Sequence, residues 1–360
     1  MFGIPRRIEG ALGAQAWLGR RAVHALDRLA APAEARSQRE PVSVVIAATG
    51  SVPIDRLLDS IGYAPGEGDE VIVATVGASH EAASRGRPGV RIVEAGIAPS
   101  GWSASSWGRQ VGAKTARNAW ILFLDERLVV ESGDLAGVLL ATAGDDAAVA
   151  VTAFPRYESV TLAEQVLVPF ACRHLMAGSG SAHDVAASCM LMSRAAFETI
   201  GGYEEVAGEP AEHPALEREL EKRGMRHETV DGRALVALHE TEPAAFAARS
   251  AGMSAAAAPE APGAAALAFS SAALSAMPAL ALLQGLRTRR LKLILTAGAA
   301  WAAEAWIARE FASKLSGRRA SHTAAFLQPV ALGWVLGMVV RNRATDGRSP
   351  RRRHGPSSSA

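Results

Sequence analysis

Two acidic residues and an arginine close a short apolar run near the middle of the sequence. The candidate strand Trp120–Asp125 ends in an acid, and Glu126 and Arg127 follow it directly. In an open parallel sheet, ligands bind beyond the carboxyl ends of the strands. Carboxylates at such an edge are hard oxygen ligands for a divalent cation, and a guanidinium group matches anionic oxygen atoms. The sequence therefore predicts a binding site for a charged ligand at this strand end.

A second pair of titratable residues stands at the start of a predicted helix. Glu212 and His213 precede Pro214, and Gly224 ends the helix. A histidine has an ordinary pKa near 6.5, so His213 can accept a proton near neutral pH while Glu212 orients it. The alternative is a helix boundary, at which an acidic residue is favoured by the helix dipole. The sequence favours the boundary, because isolated surface histidines are seldom catalytic.

Short β-rich runs alternate with helical patterns between residues 41 and 240. The candidate strands are Val42–Ala47, Val71–Val76, Val90–Glu94, Trp120–Asp125 and Ala147–Thr152. Several of them are apolar throughout, as a sheet covered on both faces requires. Helix caps are predicted at Ser132 or Asp134, at Thr161 and at Ser193. The alternation predicts an α/β fold with a mostly parallel sheet flanked by helices.

The charges are distributed unevenly along a chain whose composition is that of a folded protein. Of the 360 residues, 49% are hydrophobic and 5% aromatic, and Cys172 and Cys189 match no disulfide framework or zinc-site spacing. From Arg287 to Arg353 there are 14 basic and 3 acidic residues, whereas the first 286 residues hold 24 basic and 33 acidic ones. Basic residues beside apolar segments attract anionic lipid headgroups. The acidic body and the basic, apolar end therefore predict contact with membrane lipids.

The first forty residues predict an amphipathic helix followed by a polar linker. Apolar residues recur at helical spacing from Ile4 to Leu29 and are interrupted by arginines. Such a helix either lies in a membrane interface or packs on the main domain, and the sequence leaves both open. Arg6, Arg7 and Glu9 interrupt the apolar stretch that a signal peptide needs, so secretion is not expected.

Three apolar runs follow a change of composition after Pro262. They are Ala264–Gln284, Leu293–Ala308 and Thr323–Val340, and the last is close to the length that a bilayer core demands. A soluble helical subdomain is the alternative, but basic clusters beside the runs favour a membrane. Two spans would keep the main domain and the tail on one side, and three would separate them. We expect the globular domain on the cytoplasmic face of the plasma (inner) membrane.

The sequence thus divides into four segments. These are an N-terminal helix and linker at 1–40, an α/β domain at 41–245, hydrophobic membrane-associated helices at 263–343, and a disordered basic tail at 344–360. Binding of nucleic acid through the tail is a further possibility, but the acidic body would repel a polyanion. No nucleic-acid partner is therefore expected.

Five segments of the α/β region agree in order and separation with one known family. They read PVSVVIAATG, EVIVATVGASH, GWSASSWGRQVGAKTARNAW, ILFLDERL and AASCMLMSRAAFETIGGYEEV. In these segments the chain resembles the family 2 glycosyltransferases of the GT-A fold, and most closely their membrane-bound members that modify lipids. The resemblance implies inverting transfer of a sugar from a nucleotide-diphospho sugar to a lipid or polyisoprenoid acceptor. It also implies a GT-A domain followed by hydrophobic, transmembrane C-terminal helices.

The resemblance assigns donor-binding roles, with departures from the family pattern. Asp125, Glu126 and Arg127 stand where the DxD motif of the family holds Mg²⁺ or Mn²⁺ on the donor diphosphate, and Asp125 keeps the first acid. Arg127 replaces the second acid, so it either clamps the diphosphate without a metal or pairs with a neighbouring carboxylate. Thr75 and Val76 stand where an Asp pair of the family binds the nucleotide.

The resemblance also suggests the base and the acceptor groove. Glu212 and His213 stand where a Glu-Asp pair of the family takes the proton of the acceptor hydroxyl. Trp102, Trp107 and Asp184 are expected to line a groove for the acceptor, although loop tryptophans also dock onto cores.

Two functions follow from this pattern. The first is an active, membrane-associated transferase. The second is a catalytically degenerate GT-A domain, which acts as a membrane scaffold or as the partner of an active transferase. Joint substitution at the nucleotide, metal and base positions favours the second more than any single change would.

Overall fold

The computed structural model describes most of the chain. The described residues are 6–35, 38–61, 68–77, 87, 89–144, 149–182, 188–209, 212–240, 242–247, 250 and 262–346. At residues 6–9, 12, 149 and 336–346 the backbone alone is described. Asp184 of the expected acceptor groove and residues 347–360 of the basic tail lie outside the described residues.

Ten strands within the described residues form two sheets. They are β1 Val42–Ala48, β2 Glu70–Val76, β3 Val90–Gly96, β4 Trp120–Leu124, β5 Leu128–Val130, β6 Val149–Phe154, β7 Arg156–Glu158, β8 Cys189–Ser193, β9 Arg226–Asp231 and β10 Val236–His239. The main sheet has the strand order β3-β2-β1-β4-β8-β6-β9, so β4 lies at its centre.

The main sheet is mostly parallel. β1 pairs in parallel with β2 and β4, whereas β8 runs antiparallel to both β4 and β6. β1 and β4 are buried along their whole lengths, as strands with both faces covered must be. The predicted α/β fold is therefore confirmed. The antiparallel strand β8 was not among the candidate strands.

A three-stranded sheet of order β5-β10-β7 stands at the carboxyl end of β4. β5 begins three residues after Asp125, and its first amide, that of Leu128, donates to the Asp125 carbonyl. β10 pairs antiparallel with β5 and in parallel with β7. This pairing places Glu240, which directly follows β10, beside the turn that contains Arg127.

The described residues include ten α-helices. They are α1 Arg6–Asp27, α2 Asp55–Ile61, α3 Ala104–Thr115, α4 Leu135–Ala143, α5 Leu162–Ser179, α6 Arg194–Thr199, α7 Glu212–Lys222, α8 Pro262–Thr288, α9 Leu291–Ser316 and α10 His322–Asp346. Asp134 caps α4, Ser193 caps α6, and Thr161 forms a capping box with Glu164 at the start of α5. The predicted caps are therefore confirmed, and Asp134 is the cap of the two alternatives.

The second half of α1 packs on the main domain. Leu18, Val23 and Leu26 are buried in the same core as the sheet, and Ala30 bridges to Val230 of the edge strand β9. Of the two alternatives for this helix, packing on the domain is the one observed for these residues.

The C-terminal helices α8, α9 and α10 pack around α5 and α1. Among the described residues, α8 and α9 are long and apolar enough to cross a membrane, by length and composition alone. The side chains of residues 336–346 are not described, so the predicted span in the third run stays a prediction. The backbone of α10 continues helically to Asp346, three residues into the segment expected to be a tail.

Candidate active site

The acidic tip of β4 is held by the arginine two residues further on. Arg127 donates to Asp125 Oδ1 from its backbone N at 3.0 Å and from Nε at 2.8 Å, and to Oδ2 from Nη2 at 3.1 Å. Its Nη1 donates to Glu240 Oε2 at 2.5 Å. The Glu240 side chain is buried and that of Asp125 is 13% exposed, so one guanidinium compensates two largely desolvated carboxylates.

A second guanidinium joins Asp125 to the start of α7. Arg109, only 5% exposed, reaches Asp125 Oδ2 with Nη2 at 3.4 Å and His213 Nδ1 with Nη1 at 3.5 Å. Arg109 lies on α3, Asp125 follows β4, and His213 lies in the first turn of α7. The two groups that the sequence identified at separate places therefore share one neighbour at the carboxyl edge of the sheet.

These contacts fix the charge states of the cluster. Burial acts to raise the pKa of Asp125, but Arg127 and Arg109 outweigh it and hold this pKa well below its usual range. Burial acts in the opposite sense on Arg127, and the charges of Asp125 and Glu240 raise its pKa above the ordinary value. Asp125 is therefore a carboxylate and Arg127 a guanidinium cation at neutral pH.

Glu126 is directed away from Asp125 and ties β4 to β1. Its carboxylate accepts from the Thr49 amide at 2.9 Å, from the Thr49 hydroxyl at 2.5 Å and from the Ser51 hydroxyl at 2.5 Å. Glu126 is itself buried. The second acid of the pair thus stabilises the turn that follows β1, which lies next to β4 in the sheet.

One face of α3 organises the other side of the site. Ser103, the N-cap of α3, and Ser106 donate their hydroxyls to the two oxygen atoms of Glu212 at 2.8 and 2.6 Å. Arg109 follows at the same three-residue spacing, which places all three side chains on one side of the helix. Glu212 is half-buried, so its carboxylate is held in place and still reached by solvent.

His213 is buried rather than exposed at the helix boundary. It is 4% exposed, and its Nδ1 accepts from Arg109 and from the Tyr203 hydroxyl, the latter at 3.2 Å. Both partners act as donors, which leaves the proton of the neutral ring on Nε2, an atom with no hydrogen-bond partner among the described residues. Burial and then the charge of Arg109 lower the pKa of His213 well below its usual value. The helix does begin at Glu212, as the boundary interpretation predicts.

The tryptophans of the expected acceptor groove flank the start of α3. The rings of Trp102 and Trp107 meet edge to face, with centroids 5.2 Å apart. Trp107 Nε1 donates to the Ala95 carbonyl at 2.8 Å, and this hydrogen bond joins α3 to β3. Thr75 is buried at the end of β2, where the pairing with β3 shifts register.

The residues at this edge do not fit a divalent cation. Asp125 already accepts three hydrogen bonds from Arg127, and Glu126 is occupied by Thr49 and Ser51. Within the part of the chain that the structure describes, no cluster of three or more His, Cys, Asp or Glu side chains could hold a metal ion. The guanidinium of Arg127 contacts both carboxylate oxygen atoms of Asp125, which are the atoms that an ion would need as ligands.

The same arrangement of Asp and Arg occurs at a second strand end. Asp231 closes β9, and Arg233 donates to its Oδ1 from the backbone N at 3.1 Å and from Nε at 2.8 Å. Asp231 is more exposed than Asp125, so this turn supplies an internal comparison. An Asp-x-Arg turn therefore follows two strands of this fold. Only the turn after β4 has the additional contacts of Asp125 with Arg109 and of Arg127 with Glu240.

Sequence reasoning missed several residues of the site. Arg109 lies in a quoted segment, and its spacing from Ser103 and Ser106 was the signal that could have identified it. Glu240 had no such signal, because its partner Arg127 is 113 residues away in the chain. Tyr203 lies in a quoted segment, ten residues before His213, but this spacing did not indicate their contact.

Comparisons with known proteins assign the chain to a family. A sequence model of glycosyl transferase family 21 matches residues 110–340. No curated protein sequence matches the chain. Among solved structures, the mannosyltransferase PcManGT from Pyrobaculum calidifontis, in complex with GDP-Man and Mn²⁺, is similar at 17% identity and a TM-score of 0.50, over 93% of this chain and 92% of that one.

A second solved structure is similar over a smaller part of the chain. Glucosyl-3-phosphoglycerate synthase from Mycobacterium tuberculosis, in complex with Mn²⁺, UDP and phosphoglyceric acid, shares 17% identity at a TM-score of 0.44, over 65% of this chain and 86% of that one. The GT-A-like fold expected from the sequence is thus confirmed by the likeness to PcManGT, whereas membership of family 2 is not confirmed. Because the family model spans more than half of the sequence, the chain belongs to glycosyl transferase family 21.

Proposed function

We propose that this protein transfers a sugar from a nucleotide-diphospho sugar to a lipid or polyisoprenoid acceptor at the carboxyl edge of β4. The observation that carries the proposal is the position of Arg109, which contacts both Asp125 and His213. Groups that act on one substrate must lie within hydrogen-bonding reach of it, and this contact supports their doing so. The nucleotide sugar bound by PcManGT supports the class of donor.

The proposed reaction is a single displacement with inversion. The acceptor hydroxyl oxygen attacks the anomeric carbon, the bond from that carbon to the diphosphate breaks, and the nucleoside diphosphate leaves with the electron pair. Glu212 takes the hydroxyl proton, since it is a carboxylate held by Ser103 and Ser106 and still open to solvent. His213 is a positioning residue in this scheme, because its lowered pKa makes it a weak base.

The cations of the site replace a metal in the proposal. Arg109 and Arg127 are the guanidinium groups nearest to Asp125 among the described residues. A guanidinium stays charged and matches phosphate oxygens, so the two arginines would balance the charge of the leaving diphosphate. This requires Arg127 to exchange part of its contact with Asp125 or Glu240 for the donor.

A catalytically degenerate domain is the second candidate, and the saturation of Asp125 favours it. Asp125, Arg127, Glu240 and Arg109 already balance one another, so a diphosphate gains no unpaired positive charge from them. The chain would then act as a membrane scaffold or as the partner of an active transferase.

Donor titration with and without Mn²⁺ separates the two candidates. Purified protein is titrated by calorimetry with a UDP-sugar and a GDP-sugar, beside the variant Arg127→Asp, which restores the second acid. Saturable binding to the unchanged protein without Mn²⁺ supports the transferase. Binding by Arg127→Asp alone, and only with Mn²⁺, supports the degenerate domain, and binding by neither protein at millimolar donor contradicts the assignment of a donor site.

The proposal includes a location on the cytoplasmic face of the plasma membrane. The apolar helices α8 and α9 and the basic residues beside them support contact with membrane lipids. A lipid acceptor would reach the site from that surface. Incorporation of label from a radioactive nucleotide sugar into an organic-solvent extract of membranes tests this class of acceptor, and label confined to the aqueous phase contradicts it.

A further inference from the structure

We infer that α8, α9 and α10 bind an anionic lipid bilayer by lying along its surface on the side of the globular domain, and do not cross it. The inference deepens the membrane location in the proposed function and rests on it. Four observations carry it: the enclosure of α5, a buried ion pair on α9, a set of exposed large apolar side chains, and a cluster of exposed cations.

The C-terminal helices enclose a helix of the glycosyltransferase domain. α5 is buried along nearly all of its length, and it lies between the main sheet and the C-terminal helices. The Ser271 hydroxyl on α8 pairs with His174 Nδ1 at 2.7 Å. A Cβ added to Gly178 would lie 2.5 Å from the Ala264 carbonyl oxygen, so this glycine permits the close approach of α5 and α8. A bilayer that surrounded α8 would therefore also have to take in part of the domain.

A carboxylate in the middle of α9 is bound to that domain. Glu304 pairs with Arg173 of α5 and accepts from Gln15 Nε2 of α1 at 2.6 Å. Glu304 and Arg173 are each 2% exposed. Breaking a buried ion pair leaves an uncompensated charge, so the pair holds α9 against α5.

The half of α9 that follows Glu304 also packs on the domain. Phe311 and Leu315 are buried in the core that the sheet shares with α1, and the buried side chain of Ile307 lies over Gly19 of α1. Only residues 291–303 of α9 precede the part that packs on α5 and α1. At 1.5 Å of rise per residue, these residues extend about 20 Å. The hydrocarbon core of a bilayer is about 30 Å thick, so this part of α9 is too short to cross it.

The outer face of the three helices is apolar. Large hydrophobic side chains on it are exposed: Phe269, Met277, Leu280, Leu283, Leu286, Leu291, Leu295, Trp306, Phe326, Val330 and Trp334. On α10, Phe326, Val330 and Trp334 recur every four residues and form one stripe. Exposed apolar surface of this extent is typical of an interaction site, and helices with one apolar face lie in membrane interfaces.

The turn between α8 and α9 supplies charge complementarity to anionic headgroups. Arg287, Arg289, Arg290 and Lys292 are all exposed, next to Leu286 and Leu291. In a hairpin that crossed the bilayer, this turn would emerge on the far side, against the tendency of basic residues to stay in the cytoplasm. In a hairpin that lies along the surface, the same cations meet lipid phosphates while the leucines enter the interface.

Site-directed labelling tests whether the C-terminal helices lie along the bilayer surface or cross the bilayer. Cys172 and Cys189 are buried, so single cysteines can be introduced into the otherwise unchanged chain. Thr288→Cys reports on the turn, and Glu221→Cys, at an exposed position of α7, reports on the domain. In sealed membrane vesicles of either orientation, a membrane-impermeant maleimide should label both variants equally. Labelling of the two cysteines from opposite sides, or recovery of the protein in the soluble fraction, would overturn the inference.

A charge variant tests the contact with lipid. The full chain with Arg287, Arg289, Arg290 and Lys292 changed to Gln is floated with phosphatidylcholine vesicles that do or do not contain phosphatidylglycerol. The matched control changes four cations of the domain, distant from the turn, to Gln: Lys114, Arg117, Lys222 and Arg223. Binding to the anionic vesicles should fall at least tenfold in the turn variant and less than twofold in the control. Equal losses in both variants would contradict a role for the turn.

These outcomes are distinct from those of the donor titration. Labelling from opposite sides together with intact sugar transfer would contradict this inference and support the proposed function. Absence of donor binding together with labelling from one side would contradict the proposed function and support this inference.

Discussion

Replacing Arg127 with methionine tests whether this guanidinium holds the acidic edge of β4 together. The variant Arg127→Met keeps much of the side-chain volume but removes the partner that Asp125 and Glu240 share. Breaking a buried ion pair from one side costs about 3–5 kcal/mol. Asp125 keeps Arg109 at 3.4 Å, so we expect the lower end of that range, about 3 kcal/mol of unfolding free energy.

The second Asp-x-Arg turn provides a matched control. Arg233→Met removes the same hydrogen bonds from Asp231, which is more exposed than Asp125. Asp231 is 32% exposed, so we assign this partly exposed ion pair about 1 kcal/mol, the upper end of the range for solvent-accessible pairs. Urea unfolding of both variants at pH 7, followed by tryptophan fluorescence, should therefore separate them by about 2 kcal/mol.

The pH dependence gives an independent check on the same reasoning. Without Arg127, burial is opposed by Arg109 alone and the folded-state pKa of Asp125 should rise, so this carboxylate accepts a proton more readily as the pH falls. Protonation relieves the uncompensated charge, and the loss of stability in Arg127→Met should shrink between pH 7 and pH 5. A loss no larger than that of Arg233→Met, or one that grows on acidification, would refute the account.

Three further predictions concern the base, the buried histidine and the packing of α9. Glu212→Gln should lower kcat about 100-fold or more while changing the free energy of unfolding by no more than about 1 kcal/mol. Glu209→Gln, an exposed control, should have no effect on steady-state transfer. His213 stays neutral in the fold but is protonated in the unfolded chain below its ordinary pKa. The wild type should therefore lose about 1.4 kcal/mol per pH unit more than His213→Gln as the pH falls below about 6.5, in unfolding curves at several pH values. Glu304→Leu should cost about 3–5 kcal/mol by leaving Arg173 buried and unpaired, and Arg173→Met in the same chain should restore most of it in denaturant titrations.

Local features of the sequence were sufficient to predict much of the α/β framework. β1 and β4 are buried throughout, and their unbroken apolar runs identified both strands. Asp134 and Thr161 cap helices because a side-chain oxygen can reach an amide two or three residues away. Such signals depend on residues that are close in the chain, so they can be read without knowing the fold.

The pairing of the strands was not readable in the same way. β8 is a five-residue apolar strand that inserts antiparallel between β4 and β6. Its sequence is followed at once by the capped helix α6, and a short apolar run carries no information on its direction in a sheet. The partner strands are what determine it.

Some residues of the site could be identified from the sequence, and others only from the tertiary structure. The sequence alone identified Asp125 as the acid at a strand end and Glu212 as the acid at a helix start, because each marks the end of an element. Tertiary structure decided that Arg109 lies between Asp125 and His213, and that Glu240 shares Arg127 with Asp125. These contacts join residues 16, 104 and 113 positions apart, and polar side chains meet over such separations only when a sheet and its covering helices bring them together.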